Sequence, residues 1–348
     1  MNNIKRQKQV YFWLISGCVL IILMIIVGGI TRLTESGLSM TNWKPVTGFL
    51  PPLTEEAWQA EFDGYKASPE FKHYNHHFTL TEYKGIYFWE YVHRLFGRVI
   101  GFVFIFPFLW FWYKKAFTAR LKKRLVIIFL LGLSQGLMGW LMVKSGLVEN
   151  PHVSHYRLFL HLFFAITLVL YIYYTALLVK YPDHKWKPRT TLKKWTLIVF
   201  LLTLFQVAYG ALVAGLKAGF IYNSYPKMGT TWLPQSLWNS YPDFGFMVIF
   251  EDPGTVQFIH RTFALILVVV AFLFWYKFKT YAMPKWVAVG VFLQAVLGVF
   301  TLIYIVPIAL GVLHQLVAIL ILLLLTNQLF TANYMLKSQL INLKSRTK

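Results

Sequence analysis

Four histidines stand inside long apolar stretches of this chain: His93, His161, His260 and His314. Two of them share a setting, Glu90-Tyr91-Val92-His93-Arg94 and Gln257-Phe258-Ile259-His260-Arg261. Each falls four to seven residues inside the outer end of an expected span, up to roughly 10 Å deep at about 1.5 Å per residue. Ionisable groups at that depth are costly and mark function. One such imidazole alone reads as hydrogen-bonded glue between helices. Four, placed two by two, point to ligation. A pair of imidazoles facing each other suits iron in a flat macrocycle held from both faces. Zinc asks for a larger set, with carboxylate or thiolate members.

Glu90 and Gln257 separate the two copies. On a helix, Glu90 lies one turn from His93 on the same face. Beside a bound ring it could relay protons or stabilise a developing positive charge; the plainer reading is a helix-start glutamate favoured by the macrodipole. Gln257 keeps the size and polarity but cannot exchange a proton, so the expected reacting copy is the N-terminal one. Arg94, Arg98 and Arg261 sit where they could meet ring carboxylates such as propionates, or could snorkel to headgroups. Glycines at 97, 101, 132, 136, 139, 290, 298 and 311 leave helices room for a ring.

These side chains need rigid elements, and the composition says which. Of 348 residues, 57% are hydrophobic and 14% charged, against about 25% charged in soluble domains. Apolar runs of bilayer length are expected at about 11–31, 86–112, 125–144, 157–179, 195–213, 255–276, 286–305 and 308–335, the last two reversing at Pro307. Net charge is +21. The Lys and Arg residues crowd the short loops on the N-terminal side, such as Lys114 to Arg124 and Lys180 to Lys194, and the C-terminal tail. The positive-inside rule therefore accounts for the excess without nucleic acid, and puts both termini in the cytoplasm. A lone cysteine, Cys18, reads as a small buried hydrophobe. The basic N-terminus leads straight into a full-length span, with neither signal-peptide nor transit-peptide character; a bacterial plasma membrane is expected.

The outer loops, about 32–85 and 214–254, are rich in aromatics and proline (Trp43, Pro45, Trp58; Tyr225, Pro226, Trp232) and read as ordered caps, with a short interfacial helix expected around Glu55 to Phe62. His73, His76 and His77 read as a solvated loop cluster. His152 lies in another outer loop and His184 on the cytoplasmic side.

An internal repeat orders the whole. Gly28-Gly29 aligns with Gly210-Ala211, His93 with His260, Gln135 to Gly139 with Gln294 to Gly298, and His161 with His314. The expected fold is an all-α integral membrane protein: eight transmembrane helices as two duplicated four-helix bundles, related by a pseudo-twofold axis along the membrane normal. The halves are residues 1–182 and 183–348.

With these markers in place, the chain resembles the haem A synthase family. The motifs are Gly-Gly-x-Thr-Arg-Leu-Thr-x-Ser-Gly-Leu-Ser at 28–39, Glu-Tyr-x-His-Arg at 90–94, Phe-Ile-His-Arg at 258–261, and the histidines at 161 and 314. Some bacterial members carry a cysteine pair in an outer loop. This chain has none and is closer to the long-loop branch. The resemblance implies eight helices in two halves and oxidation of the methyl group at porphyrin position 8 of haem O to a formyl group, giving haem A for terminal oxidases. It implies that His260 and His314 ligate a resident haem b, that His93 and His161 serve the substrate haem, and that Glu90 lies near the reacting edge. It also implies contact with haem O synthase, the protohaem farnesyltransferase, and an electron-transfer partner. Two other readings compete: a bis-histidine dihaem electron-transfer cytochrome without substrate chemistry, and a transporter built from two repeats.

Overall fold

The computed structural model describes residues 2–41, 49–146, 153–182, 185–186 and 189–335. Trp43, Pro45, His152, His184 and Lys337 to Lys348 lie outside the described residues. Eight helices among those described are long and apolar enough to cross a membrane: α1 Asn2–Leu33, α3 Leu80–Tyr113, α4 Ala119–Gly146, α5 His155–Lys180, α6 Thr190–Gly215, α9 Pro253–Lys277, α10 Ala282–Ile303 and α11 Ile308–Asn333. Three shorter ones lie in the long connections that follow α1 and α6: α2 Glu55–Lys66, α7 Gln235–Phe244 and α8 Val248–Glu251. All eight expected spans are present. A short antiparallel pairing of β1 Lys185–Trp186 with β2 Tyr334–Met335 joins the α5–α6 connection to the chain leaving α11.

Local chemistry sets the helix ends. Thr79 and Glu82 form a reciprocal capping box, which satisfies orphan N–H groups and starts α3 two turns earlier than its apolar run. Asp252 caps α9, accepting from the Thr255 N–H at 2.7 Å, with Pro253 in the first turn where a missing N–H costs nothing. Pro107, inside α3, cannot donate to the Val103 carbonyl, and Trp13 Nε1 of α1 donates to that carbonyl instead at 2.9 Å. The reversal before Pro307 is made by Ile305 and Val306 in the left-handed region, φ 59° and 54°, uncommon for branched side chains.

In the N-terminal half α1 packs against α3 and α5, and α4 against α5. In the C-terminal half α6 packs against α9 and α11, and α10 against both α9 and α11. The halves meet where α1 lies on α11 and α5 on α6, with α5 also against α11, pairings that a twofold exchange of the halves maps onto each other. Cys18 is buried in the α1–α5 core beside Val169 and Ile172. A second core joins Val199, Ala271, Phe274, Val287 and Leu325. Over the outer end, α2 and the start of α3 build an aromatic cap in which Phe62, Tyr65, Tyr83 and Tyr87 are buried.

Candidate functional site

A cavity of about 1240 Å³ runs through the membrane-embedded interior and is lined by all four histidines, His93, His161, His260 and His314. Ligand pockets commonly span ~300–1,000 Å³, so this one is large enough for more than one small ligand. Helices α3 and α5 supply His93 and His161; α9 and α11 supply His260 and His314. His161, His260 and His314 lie within two turns of their helix starts. His93 is thirteen residues into α3, because the capped outer turns precede it.

Each ring rests on a glycine of a neighbouring helix. A Cβ on Gly28 would stand 3.0 Å from His93 Cε1, on Gly139 3.6 Å from His161 Cε1, on Gly210 3.2 Å from His260 Cε1, and on Gly298 2.9 Å from His314 Cε1. Repeat-equivalent glycines thus back repeat-equivalent imidazoles. The sequence offered this signal, since Gly28 aligns with Gly210 and Gly139 with Gly298, but only the packing shows its purpose. Of the remaining glycines, Gly290 lies against Ile321, whereas Gly311 lies against Leu33 and closes α11 onto α1.

The donor set fits haem iron. The His260 and His314 ring centroids are 6.4 Å apart with planes at 71°. Two imidazoles brought this close across one cavity would suit the iron of a haem, which accepts histidine. The Nδ1 atoms of His93, His161 and His314 are buried without a protein hydrogen-bond partner, an unusual state for buried polar atoms. Among the described residues no group of three or more His, Cys, Asp or Glu could hold a metal ion by itself, and His73, His76 and His77 are exposed.

Glutamines fix the ligand helices. Gln206 Nε2 donates to the His260 carbonyl at 2.9 Å, and Gln294 Nε2 to the His314 carbonyl at 2.8 Å. Gln135, its amide turned to satisfy both atoms, donates to the His161 carbonyl and accepts from the Ala165 N–H, each at 3.2 Å. Gln206 is missing from the sequence-based site; its repeat position in α1 holds Met24, so the alignment gives no signal for it.

Glu90 is 3% exposed and fully engaged. Its carboxylate accepts from Ser39 Oγ at 2.7 Å, from the Met40 N–H at 2.8 Å and from Arg94 at 2.5 Å. Arg94 also donates to the Met40 carbonyl. In the other half, Gln257 Nε2 donates to the Ala218 carbonyl at 2.9 Å. Both residues therefore clasp the loop that follows the first helix of their half, with opposite hydrogen-bond polarity. Arg261 donates to the Ser224 carbonyl and stacks its guanidinium over Tyr225 at 5.7 Å; Arg98 lies over Phe49 at 5.4 Å. All three arginines line the cavity.

One further carboxylate reaches the same cavity from the outer cap. Glu70 is 8% exposed and accepts from the Tyr65 hydroxyl at 3.0 Å. Burial pushes its carboxyl up to about 7, with Glu90 and Glu35 adding to the effect and Tyr65 and Lys217 opposing it. Nothing in the sequence marks it, because its burial depends on α2 folding back over the helix ends.

The fold and the site together define a multi-pass membrane protein with two imidazole pairs on one interior cavity. A family model described as cytochrome oxidase assembly protein matches residues 11–326. The heme A synthase of Flavobacterium johnsoniae is 44% identical over 90% of this chain and 95% of its own length. That of Flavobacterium psychrophilum is 42% identical over 91% and 96%, and that of Paramagnetospirillum magneticum 42% over 89% of each. The chain belongs to the haem A synthase family of cytochrome oxidase assembly proteins.

Proposed function

We propose that the protein is a haem A synthase, an oxidoreductase that converts the C8 methyl group of haem O to the formyl group of haem A. The observation that carries this reading is the duplicated, glycine-backed histidine pair on one cavity with a carboxylate in only one copy. The division of labour follows that difference. Residues 1–182 bind the substrate haem through His93 and His161. Residues 183–348 hold a resident haem b through His260 and His314, and when bound it supplies one-electron redox capacity.

The residues of the reacting half have definable tasks. Arg94, Ser39 and the Met40 N–H hold Glu90 as a fixed carboxylate, so its contribution is an oriented negative charge that stabilises positive charge developing at the substrate edge. The same contacts tie the Ser39–Met40 segment to α3 beside the cavity. Arg98 and Arg261, stacked on aromatic rings on the same cavity, are placed for propionates. Oxidation of a methyl to a formyl group takes up an oxygen atom. Drawn from water this releases electrons and protons, drawn from dioxygen it consumes electrons, and either course calls for an electron-transfer partner. Haem O is delivered by haem O synthase. Both termini face the cytoplasm of a bacterial cell.

Mass analysis of haem extracted after expression with haem O supplied tests cofactor and reaction together. Hydroxylated or formylated haem O is expected from the wild type; its absence supports the dihaem cytochrome instead. Glu90→Ala should retain haem b and lose product, while His260→Ala or His314→Ala should lose the haem b signal. Loss of haem b on the Glu90 change would sink the division between halves.

A further inference from the structure

The two halves are not equally closed. In the C-terminal half α9 packs along α10, but among the described residues α3 and α4, their repeat equivalents, are not packed backbone to backbone. They meet through side chains, including the Phe104 and Phe129 rings, stacked at 6.3 Å. The sequence supplies the cause. Where α3 and α4 carry Gly97, Gly101, Gly132 and Gly136, the aligned positions of α9 and α10 hold Ala264, Val268, Val291 and Ala295. Val291 is 3% exposed, and its neighbours Val287 and Ala288 are fully buried. A Cβ placed on Gly101, Gly132 or Gly136 would meet nothing within 4 Å, so these glycines border open space rather than a close helix crossing.

That space leads outward. Gly101, Gly132 and Gly136 line the cavity that holds His93 and His161, as do Phe104, Phe129 and Leu133. Leu133 is nonetheless 56% exposed, so it stands at the rim between cavity and surface. Phe129 also lines a separate surface cleft with Phe108, Leu109, Trp112 and Val126. The route from the histidine pair to the lipid-facing surface is apolar along this seam. At its head stand His93 and His161, whose buried Nδ1 atoms lack protein partners.

We propose that the seam between α3 and α4 is a binding groove for a long isoprenoid or alkyl substituent of the tetrapyrrole held by His93 and His161. A planar ring is served by the slot that both halves share. The additional width in one half suits an apolar appendage that only that half's ligand carries, and the lipid-facing opening lets the ligand arrive from the bilayer. The inference rests on the haem O reading and deepens it by assigning residues to the tail.

The test compares a tailed and a tail-less ligand on the full-length protein in lipid nanodiscs. Haem O and protohaem are titrated into the wild type, Gly101→Val and Gly132→Val, each variant installing the residue type of the closed half. The expected result is a loss of haem O affinity of about tenfold or more, with protohaem uptake at the same site and the haem at His260 and His314 unchanged. Labelling of Leu133→Cys by a thiol reagent, which leaves the backbone seam intact, should be suppressed by haem O and not by protohaem. Equal loss of both ligands would assign the glycines to the ring slot and overturn the groove. Unchanged haem O binding, with Leu133→Cys labelled equally under both ligands, would leave the seam to a lipid acyl chain and overturn it as well. A wild type that takes up protohaem but no haem O defeats the parent reading, an outcome distinct from either.

Discussion

The glycine behind each imidazole is the finest determinant of the site, and the four are not equivalent. Gly298 leaves 2.9 Å between a would-be Cβ and His314 Cε1, whereas Gly139 leaves 3.6 Å to His161. The first distance forces a shift; the second is ordinary contact. Alanine also favours helix over glycine by about 1 kcal/mol, so neither change should unfold its helix. Gly298→Ala is therefore expected to displace His314 and reduce the low-spin bis-histidine signal seen by electron paramagnetic resonance, while Gly139→Ala leaves haem uptake at His161 near the wild-type level. Equal effects at both positions would show that ring backing is not what these glycines provide. Glu70 gives a second handle. Its folded carboxyl titrates at about 7 against a reference value of 4.5, so folding binds its proton. Stability of the outer cap is full below the reference value and falls as pH rises toward 7. Above that the loss is constant, on the order of 3 kcal/mol at most. Glu70→Gln should flatten this slope, measured by hydrogen exchange of α2 and the Tyr83 region between pH 4.5 and 8. A slope that persists would place the titrating group elsewhere.

At the level of elements, the sequence was legible wherever a signal was long and local. The eight spans follow from apolar runs that exceed bilayer thickness, and the reversal before Pro307 follows from ring geometry. The four histidines that line the cavity were legible because an ionisable group inside an apolar run marks function by default. What escaped depended on contacts far apart in the chain. The first turns of α3 are aromatic and polar, so hydropathy ended the span near residue 86, yet the Thr79–Glu82 box carries the helix back to Leu80. The embrace of Glu90 by Ser39 and Met40 spans some fifty residues; without it, Glu90 reads as a free carboxylate instead of a pinned one. The separation of α3 from α4 was written in the glycine pattern, but only the packed C-terminal half supplies the standard against which that pattern means width. Pro107 is a smaller case: its cost in hydrogen bonding was visible, while Trp13 as the compensating donor was not.

For the whole molecule, the internal repeat sets the architecture. The interface between halves is made by the repeat-related crossings of α1 on α11 and α5 on α6, with close approach at Gly29, Gly215 and Gly311, as small residues permit in lipid. Across it Lys217 pairs with Glu35, and Arg32 donates to the Ala214 carbonyl at 2.9 Å, so the outer loops of both halves close over one cavity. Charge is distributed along the membrane normal in keeping with this. Lys114, Lys115, Lys122, Lys123 and Arg124 surround the α3–α4 connection at one end, while Glu55, Glu56, Glu61, Asp63 and Glu70 belong to the cap at the other. Basic loops stay on the cytoplasmic face during insertion, so the orientation proposed above puts the cap and the histidine sites toward the outer leaflet. The sole native cysteine, Cys18, is 4% exposed, so single-cysteine labelling can read the orientation cleanly. In intact cells a membrane-impermeant thiol reagent should modify Lys72→Cys in the cap and spare Lys123→Cys until the membrane is opened. The reverse pattern would invert the molecule, put the haem sites near the cytoplasm, and require substrate and electrons to arrive from the other side.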